Sequence, residues 1–189
     1  MGCAYKNFWA LNIDEAVAVG ILRGKLNKNI AVFMPTSAQM PDVDLVAINL
    51  TSKRIATIQV KGSRAYEPKK IELRRYKHGS PGWFWLDVGK ITKCKADYFL
   101  FLIHVLRQNS KNGRRDIEPH IILIKTNELI KRCKKHKKIK GNTWNFFIWV
   151  NPVSKKAFDY HPTADPNRLV FDDCLDEKGI EKLNAALGK

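Results

Sequence analysis

Asp44-Leu45-Val46-Ala47-Ile48-Asn49 and, after a short polar turn, Ile55-Ala56-Thr57-Ile58-Gln59-Val60-Lys61 are two apolar runs rich in β-branched residues. Two such runs around a polar turn predict an antiparallel hairpin. In a hairpin the start of the first strand lies beside the end of the second, so Asp44 is expected to meet Gln59 and Lys61. Side chains alternate faces along a strand, which puts Gln59 and Lys61 on one side and Val60 on the other. A carboxylate, an amide oxygen and an ammonium then converge on one small site.

That grouping has a definite chemistry. A carboxylate and carbonyl-type oxygens bind Mg²⁺, with waters and substrate phosphate completing the shell. A bound metal activates water and stabilises charge on a phosphodiester. A nearby lysine orients the water or holds the phosphate. The plainer reading is a hairpin with polar ends, because Asp and Lys are common where strands stop.

The pattern, with Pro41-Asp42 ahead of Asp44 and with Gln59-Val60-Lys61, resembles the PD-(D/E)xK nuclease superfamily. Gln59 stands where the superfamily usually has its last acidic residue. In this it is similar to the QxK variant of Mrr-like restriction enzymes and some intron-encoded homing endonucleases. The resemblance covers roughly residues 12–105, with a weaker echo to about residue 150. Archaeal Holliday-junction resolvases, also similar, carry a glutamate on the helix before the core strands, and Glu15 occupies that place here.

Composition supports a polyanionic partner. The chain has 189 residues, 34 basic and 18 acidic, for a net charge of +16. A domain this basic is expected to meet nucleic acid, or else to carry its charge for solubility. Five tryptophans and nine phenylalanines argue for a packed core over a disordered basic tail. Cys3, Cys94, Cys133 and Cys174 form no CxxC pair, so a reducing compartment and no structural zinc are expected. The N-terminal residues lack the long apolar segment of a signal peptide. No apolar run reaches the roughly 18 residues of a membrane span, so a cytoplasmic protein is expected.

Along the chain, Asn12 and Glu15 fit a capping box for a helix over residues 13–26, with Ile13, Ala16, Val17, Gly20 and Ile21 on one face. Glu15 either only caps that helix or adds a metal ligand. Residues 30–34 predict the first strand. After Lys61 the composition turns basic and aromatic: Arg64, Lys69, Lys70, Arg74, Arg75 and Lys77, with Tyr66 and Tyr76 interleaved. Such a segment either contacts DNA backbone and bases or is a solvated loop or short helix. Residues 83–86 predict a strand. Residues 97–105 are too apolar for a half-exposed strand and predict a central one buried on both faces, with His104 as a core histidine. Residues 120–124 predict a further strand.

A helix from residue 127 runs into residues 131–140, of which seven are Lys or Arg, including Lys134, Lys135, Lys137 and Lys138. This run is either a solvated face or a phosphate-binding one. Residues 144–150 predict a strand on the rim of the sheet, and residues 153–169 a loop-rich stretch in which His161 has no partner. Asp172, Asp173, Asp176 and Glu177 precede a terminal helix over residues 177–187, where they would compensate its N-terminal dipole.

The expected fold is α/β, a restriction-endonuclease-like mixed central sheet flanked by helices. A single nuclease-like domain would span residues 1–189, with its core at about 12–125 and a C-terminal elaboration at about 126–189. The resemblance implies a Mg²⁺-dependent endodeoxyribonuclease in which Mn²⁺ can substitute. Asp44 would be the main metal ligand, with Gln59 supplying a further oxygen, Lys61 positioning nucleophile or phosphate, and Glu15 supporting. Asp42 is the weaker aspartate. The resemblance leaves open a homodimer, since many relatives pair two sites to cut both strands. The competing expectations are a nuclease-like DNA-binding protein with a decayed site, and a basic RNA-binding domain.

Overall fold

The computed structural model describes residues 13–35, 42–108, 115–136, 141–160 and 168–188. Its backbone is mixed α/β, built on two sheets.

Helix α1 (Ile13–Lys25) begins with Asp14 and Glu15 and ends with Arg23 and Lys25, a distribution that suits the helix dipole. The candidate cap Asn12 lies outside the described residues. The inward stripe is Glu15, Ala18 and Leu22, continued by Leu26, and Ile13 is 78% exposed. This corrects the expected face of Ile13, Ala16 and Gly20. Leu22 and Leu26 bury more apolar surface than Ala16 and Gly20 can offer, while Val17 and Ile21 flank the stripe.

The larger sheet has the order β1-β2-β3-β5-β6. It contains β1 (Ile30–Phe33), β2 (Leu45–Asn49), β3 (Ile55–Gly62), β5 (Tyr98–Gln108) and β6 (Arg115–Lys125). The β2–β3 hairpin forms as expected, and β3 pairs with β5 in parallel. As expected, β5 is central and buried on both faces. Leu100 and Leu102 join Ala18, Leu22, Leu45, Ile58 and Val60 under α1 and α5 (Glu177–Leu187). Phe99, Phe101 and Ile103 point the other way.

On that other side lies a three-stranded sheet, β4-β7-β8, made of β4 (Ser80–Asp87), β7 (Thr143–Asn151) and β8 (Lys156–Asp159). Phe84 meets Phe101 edge-on at 4.9 Å between the two sheets. Strand β7 is thus the centre of a second sheet and not the rim of the first. Its inward residues Trp144, Phe146 and Ile148 fill the space between the sheets. Part of the stretch expected to be loop is β8. Helices α2 (Lys70–Tyr76), α3 (Val88–Lys93) and α4 (Thr126–His136) complete the described elements. The turn of the β2–β3 hairpin is tied to the end of α5: Asn49 Nδ2 donates to the carbonyls of Leu187 (3.2 Å) and Gly188 (2.8 Å), and Ser52 Oγ to that of Leu187 (2.7 Å). No helix of the described residues is long and apolar enough to cross a membrane.

Candidate functional site

Pairing of Leu45 with Ile58 sets the register of the hairpin and places Asp44, just ahead of β2, opposite Gln59. Leu45, Ile58 and Val60 are buried under α1. Strand alternation therefore turns Asp44, Gln59 and Lys61 onto the opposite face of the sheet. The backbone N–H of Asp44 donates to Ile58 O at 3.0 Å. One carboxylate oxygen, Oδ2, accepts both the Gln59 amide and the backbone N–H of Val60, the latter at 2.8 Å. Gln59 is buried, while Asp44 and Lys61 are half-buried. Asp44, Gln59 and Lys61 are brought together as the hairpin predicts.

Glu15 stands on α1. It shares the stripe of Ala18 and Leu22 on α1, which packs on the other side of the sheet. Its neighbour Asp14 lies at the end of β3, so close to Gly62 that a Cβ there would overlap Asp14 Oδ2 at 1.8 Å. Any residue but glycine after Lys61 would have to displace the Asp14 side chain. Asp14 Oδ1 also stands 3.7 Å from His104 Nε2, so the histidine inside β5 is engaged with α1.

Cys94 is a neighbour that sequence reasoning missed. It ends α3, and its Sγ lies 3.9 Å from the carbonyl oxygen of Asp42. Burial pushes the thiol pKa up, and the charges of Asp42 and Asp44 push the same way against a backbone hydrogen bond from Ala96 and the charge of Lys61. A thiol kept protonated is a poor metal ligand. Its value is as a marker, because it places Asp42 beside Asp44 and Lys61. No spacing motif could have revealed it, since 33 residues separate it from Lys61.

Comparison with known proteins gives no match, whether to protein-family models, to curated proteins or to solved structures.

The basic segments are open to solvent. Arg64, Lys69, Lys70, Arg74, Arg75 and Lys77 are all exposed, and α2 buries none of its residues. Trp83 N–H donates to Ser63 Oγ at 2.8 Å, which ties the start of this segment to β4. Lys134 and Lys135 are exposed on α4; Lys137 and Lys138 lie outside the described residues. Leu129 and Cys133 of α4 join the core beneath Phe99 and Ile124. Helix α4 therefore lies on the side of the large sheet that bears Gln59 and Lys61, whereas α2 packs through Tyr76 on Trp149 and Tyr160, on the outer face of the β4-β7-β8 sheet.

The acidic residues before α5 do not serve mainly as dipole compensation. Each ties α5 or its approach to another element. Asp172 Oδ1 accepts Ala157 N–H at 2.7 Å, and Asp176 accepts Ile121 N–H at 2.9 Å with His120 Nδ1 2.8 Å away. Glu177 pairs with Lys25 at 2.6 Å. Asp173 meets Arg132 through both oxygens, at 3.0 and 2.7 Å, and Lys182 at 2.6 Å. Burial would raise its pKa, but these hydrogen bonds win and hold the carboxyl well below the usual range. Glu128, Asp173 and Cys174 stand close enough to share an ion. Arg132 and Lys182 already neutralise the group, and burial beside Asp173 pushes the Cys174 thiol up to about 11.

Proposed function

We propose that the protein is a Mg²⁺-dependent DNA endonuclease with a restriction-endonuclease-like core. The observation that carries this reading is the cross-strand pair Asp44–Gln59 with Lys61 on the same face. The donor set fits a hard divalent ion. The Asp44 carboxylate and the Gln59 amide are in contact, and the planar amide can present its oxygen where its nitrogen now lies. One carboxylate and one amide oxygen suit a Mg²⁺ that keeps most of its waters and takes phosphate oxygens as further ligands. When bound, the metal would supply charge neutralisation at the phosphodiester and a more acidic water.

The chain's own residues do the rest. Val60 N–H fixes the orientation of Asp44. Lys61 lies two residues beyond Gln59, within the same small site, and its ammonium is suited to hold a phosphate oxygen or the attacking water. The exposed lysines and arginines of α2 and its approach would neutralise phosphates elsewhere along the bound DNA. The test is a cleavage assay on plasmid, branched and single-stranded DNA with Mg²⁺ and Mn²⁺, with Asp44→Ala as control. Absence of metal-dependent cleavage on every substrate overturns the reading.

A second reading, a DNA-binding protein whose nuclease site has decayed, has one observation in its favour. Gln59 spends its amide N–H on Asp44 and brings no second negative charge. Titration with Mn²⁺ separates the two, because a decayed site would bind the ion very weakly.

A further inference from the structure

The outer face of the β4-β7-β8 sheet has no part in the proposed chemistry, yet it carries a row of large aromatic rings. Along β4, Phe84 and Leu86 point into the core, so alternation sends Trp83 and Trp85 outward. They are 42% and 65% exposed. A sheet that presented this face only to water would carry polar residues at those positions. Trp83 stacks on Trp85 with ring centres 6.2 Å apart and planes 23° from parallel, and on Phe147 of β7 at 5.4 Å and 15°. Phe147 continues the row to Tyr160 at 6.1 Å. Trp85 Nε1 donates to Thr143 Oγ1 at 3.0 Å, which fixes its ring. The rings are thus held in place before anything binds.

The margins of this face are basic. Arg74 and Arg75 are exposed on α2, whose Tyr76 packs on Tyr160. Arg168 lays its guanidinium 3.8 Å from the centre of the Phe158 ring. Carboxylates border the face as well: Glu72 accepts the hydroxyl of Tyr160 at 3.0 Å, and Asp87 accepts from Lys90 N–H and Asn142. Aligned rings flanked by cations match a polyanion whose flat apolar faces are accessible. Single strands offer these, whereas a duplex hides its base faces in the stack.

We infer that the outer face of the β4-β7-β8 sheet is a stacking platform for the unpaired bases of single-stranded DNA, centred on Trp83 and Trp85 with Phe147. The choice of DNA rests on the reading proposed above. The platform itself lies on the far side of β4 from the core that separates it from Asp44, so the two can fail separately. A nuclease with such a platform would act where duplex meets single strand.

The test measures binding of oligo-dT, oligo-U and a mixed-sequence duplex by fluorescence anisotropy and by quenching of tryptophan emission. It uses the full chain, the double variant Trp83→Ala/Trp85→Ala and the double variant Trp83→Phe/Trp85→Phe. Oligo-dT is expected to bind and to quench. The alanine pair should weaken oligo-dT binding by about tenfold or more, with duplex affinity within about twofold of the parent. The phenylalanine pair should recover most of the loss, which a misfolded variant could not do. Unchanged oligo-dT affinity in the alanine pair overturns the inference, as does an equal loss for duplex. Binding of oligo-U without oligo-dT overturns the choice of DNA. Quenching by oligo-dT in a protein that cleaves nothing would uphold the platform and sink the nuclease.

Discussion

The carboxylate of Asp44 reaches across the hairpin to the backbone N–H of Val60 at 2.8 Å, while the Val60 side chain is buried on the opposite face. One oxygen thereby fastens the start of β2 to the end of β3 in the middle of the proposed site. Asp44 has two separable duties, holding the strands together and offering negative charge.

Those duties predict different outcomes for two substitutions. Asp44→Ala removes both, and should cost about 1–3 kcal/mol of stability as the Val60 N–H loses its partner. Asp44→Asn keeps an acceptor and should melt close to the parent, yet lose cleavage as completely as Asp44→Ala. Lys61→Ala should lose cleavage too, and a double variant should be little worse than either single one, since parts of one unit are non-additive. DNA binding should stay largely intact in all of them. Full activity in Lys61→Ala or Asp44→Asn would remove these residues from the mechanism.

Gln59→Glu sets a second carboxylate against Asp44. Like charges at this distance oppose ionisation of the pair, so the metal-free variant should melt below the parent. Mg²⁺ or Mn²⁺ should raise its melting temperature more than the parent's, with activity retained. Melting curves with and without metal decide this. A variant that no longer responds to metal would mean that the amide serves Asp44 in some other way.

The basic segments predict a salt effect. Each phosphate neutralised contributes about 0.9 to the slope of log affinity against log salt on duplex DNA. Replacing Lys69, Lys70, Arg74 and Arg75 with Ala should flatten the slope by roughly two to four units, alike for unrelated sequences. The pair Lys134→Ala/Lys135→Ala should remove at most about two. Affinities measured over a salt series test both. An unchanged slope in both variants would assign the charge to another purpose.

Asp173 predicts an acid limb. Its carboxyl is held below the usual range by Arg132 and Lys182. A depressed carboxylate contributes stability that is fully present above its unfolded pKa, about 3.9, and is lost as pH falls through the lower folded value. Its side chain is 49% exposed, so solvent screening keeps the contribution to about 1 kcal/mol. Asp173→Asn should lower the denaturation midpoint at pH 7, and the difference should persist near pH 4 and close only as pH falls further, through the lowered folded value. Denaturant titrations at pH 7 and near pH 2 check the sign; a loss that does not shrink at the lower pH would mean that packing, not charge, was removed.

The hairpin and the central strand were legible because each is written locally. β-branched runs around a polar turn fix β2 and β3, and an unbroken apolar run can only be a strand covered on both faces. Asp44, Gln59 and Lys61 followed from alternation alone. The second sheet was hidden because β7 reads the same whether it edges one sheet or centres another; its pairing with the distant β4 on one side and β8 on the other decides that. The burial of Glu15 was not legible, because a charged residue in a first helical turn is normally exposed, whereas here it joins the stripe of Ala18 and Leu22. Cys94 and the outward tryptophans depend on crossings between distant segments, which no spacing rule records.

Asn49 and Ser52 grip the carbonyls at the end of α5, and Asn49 ends the five-residue strand that begins just after Asp44. Mechanical load applied at Gly188 therefore passes into the strand that carries the site. A bulky fusion or a surface tether at that end would pull on the hairpin directly. Protein immobilised there should lose affinity for Mn²⁺ relative to the same protein free in solution, and equal affinity in the two formats would mean that the grip yields without disturbing Asp44.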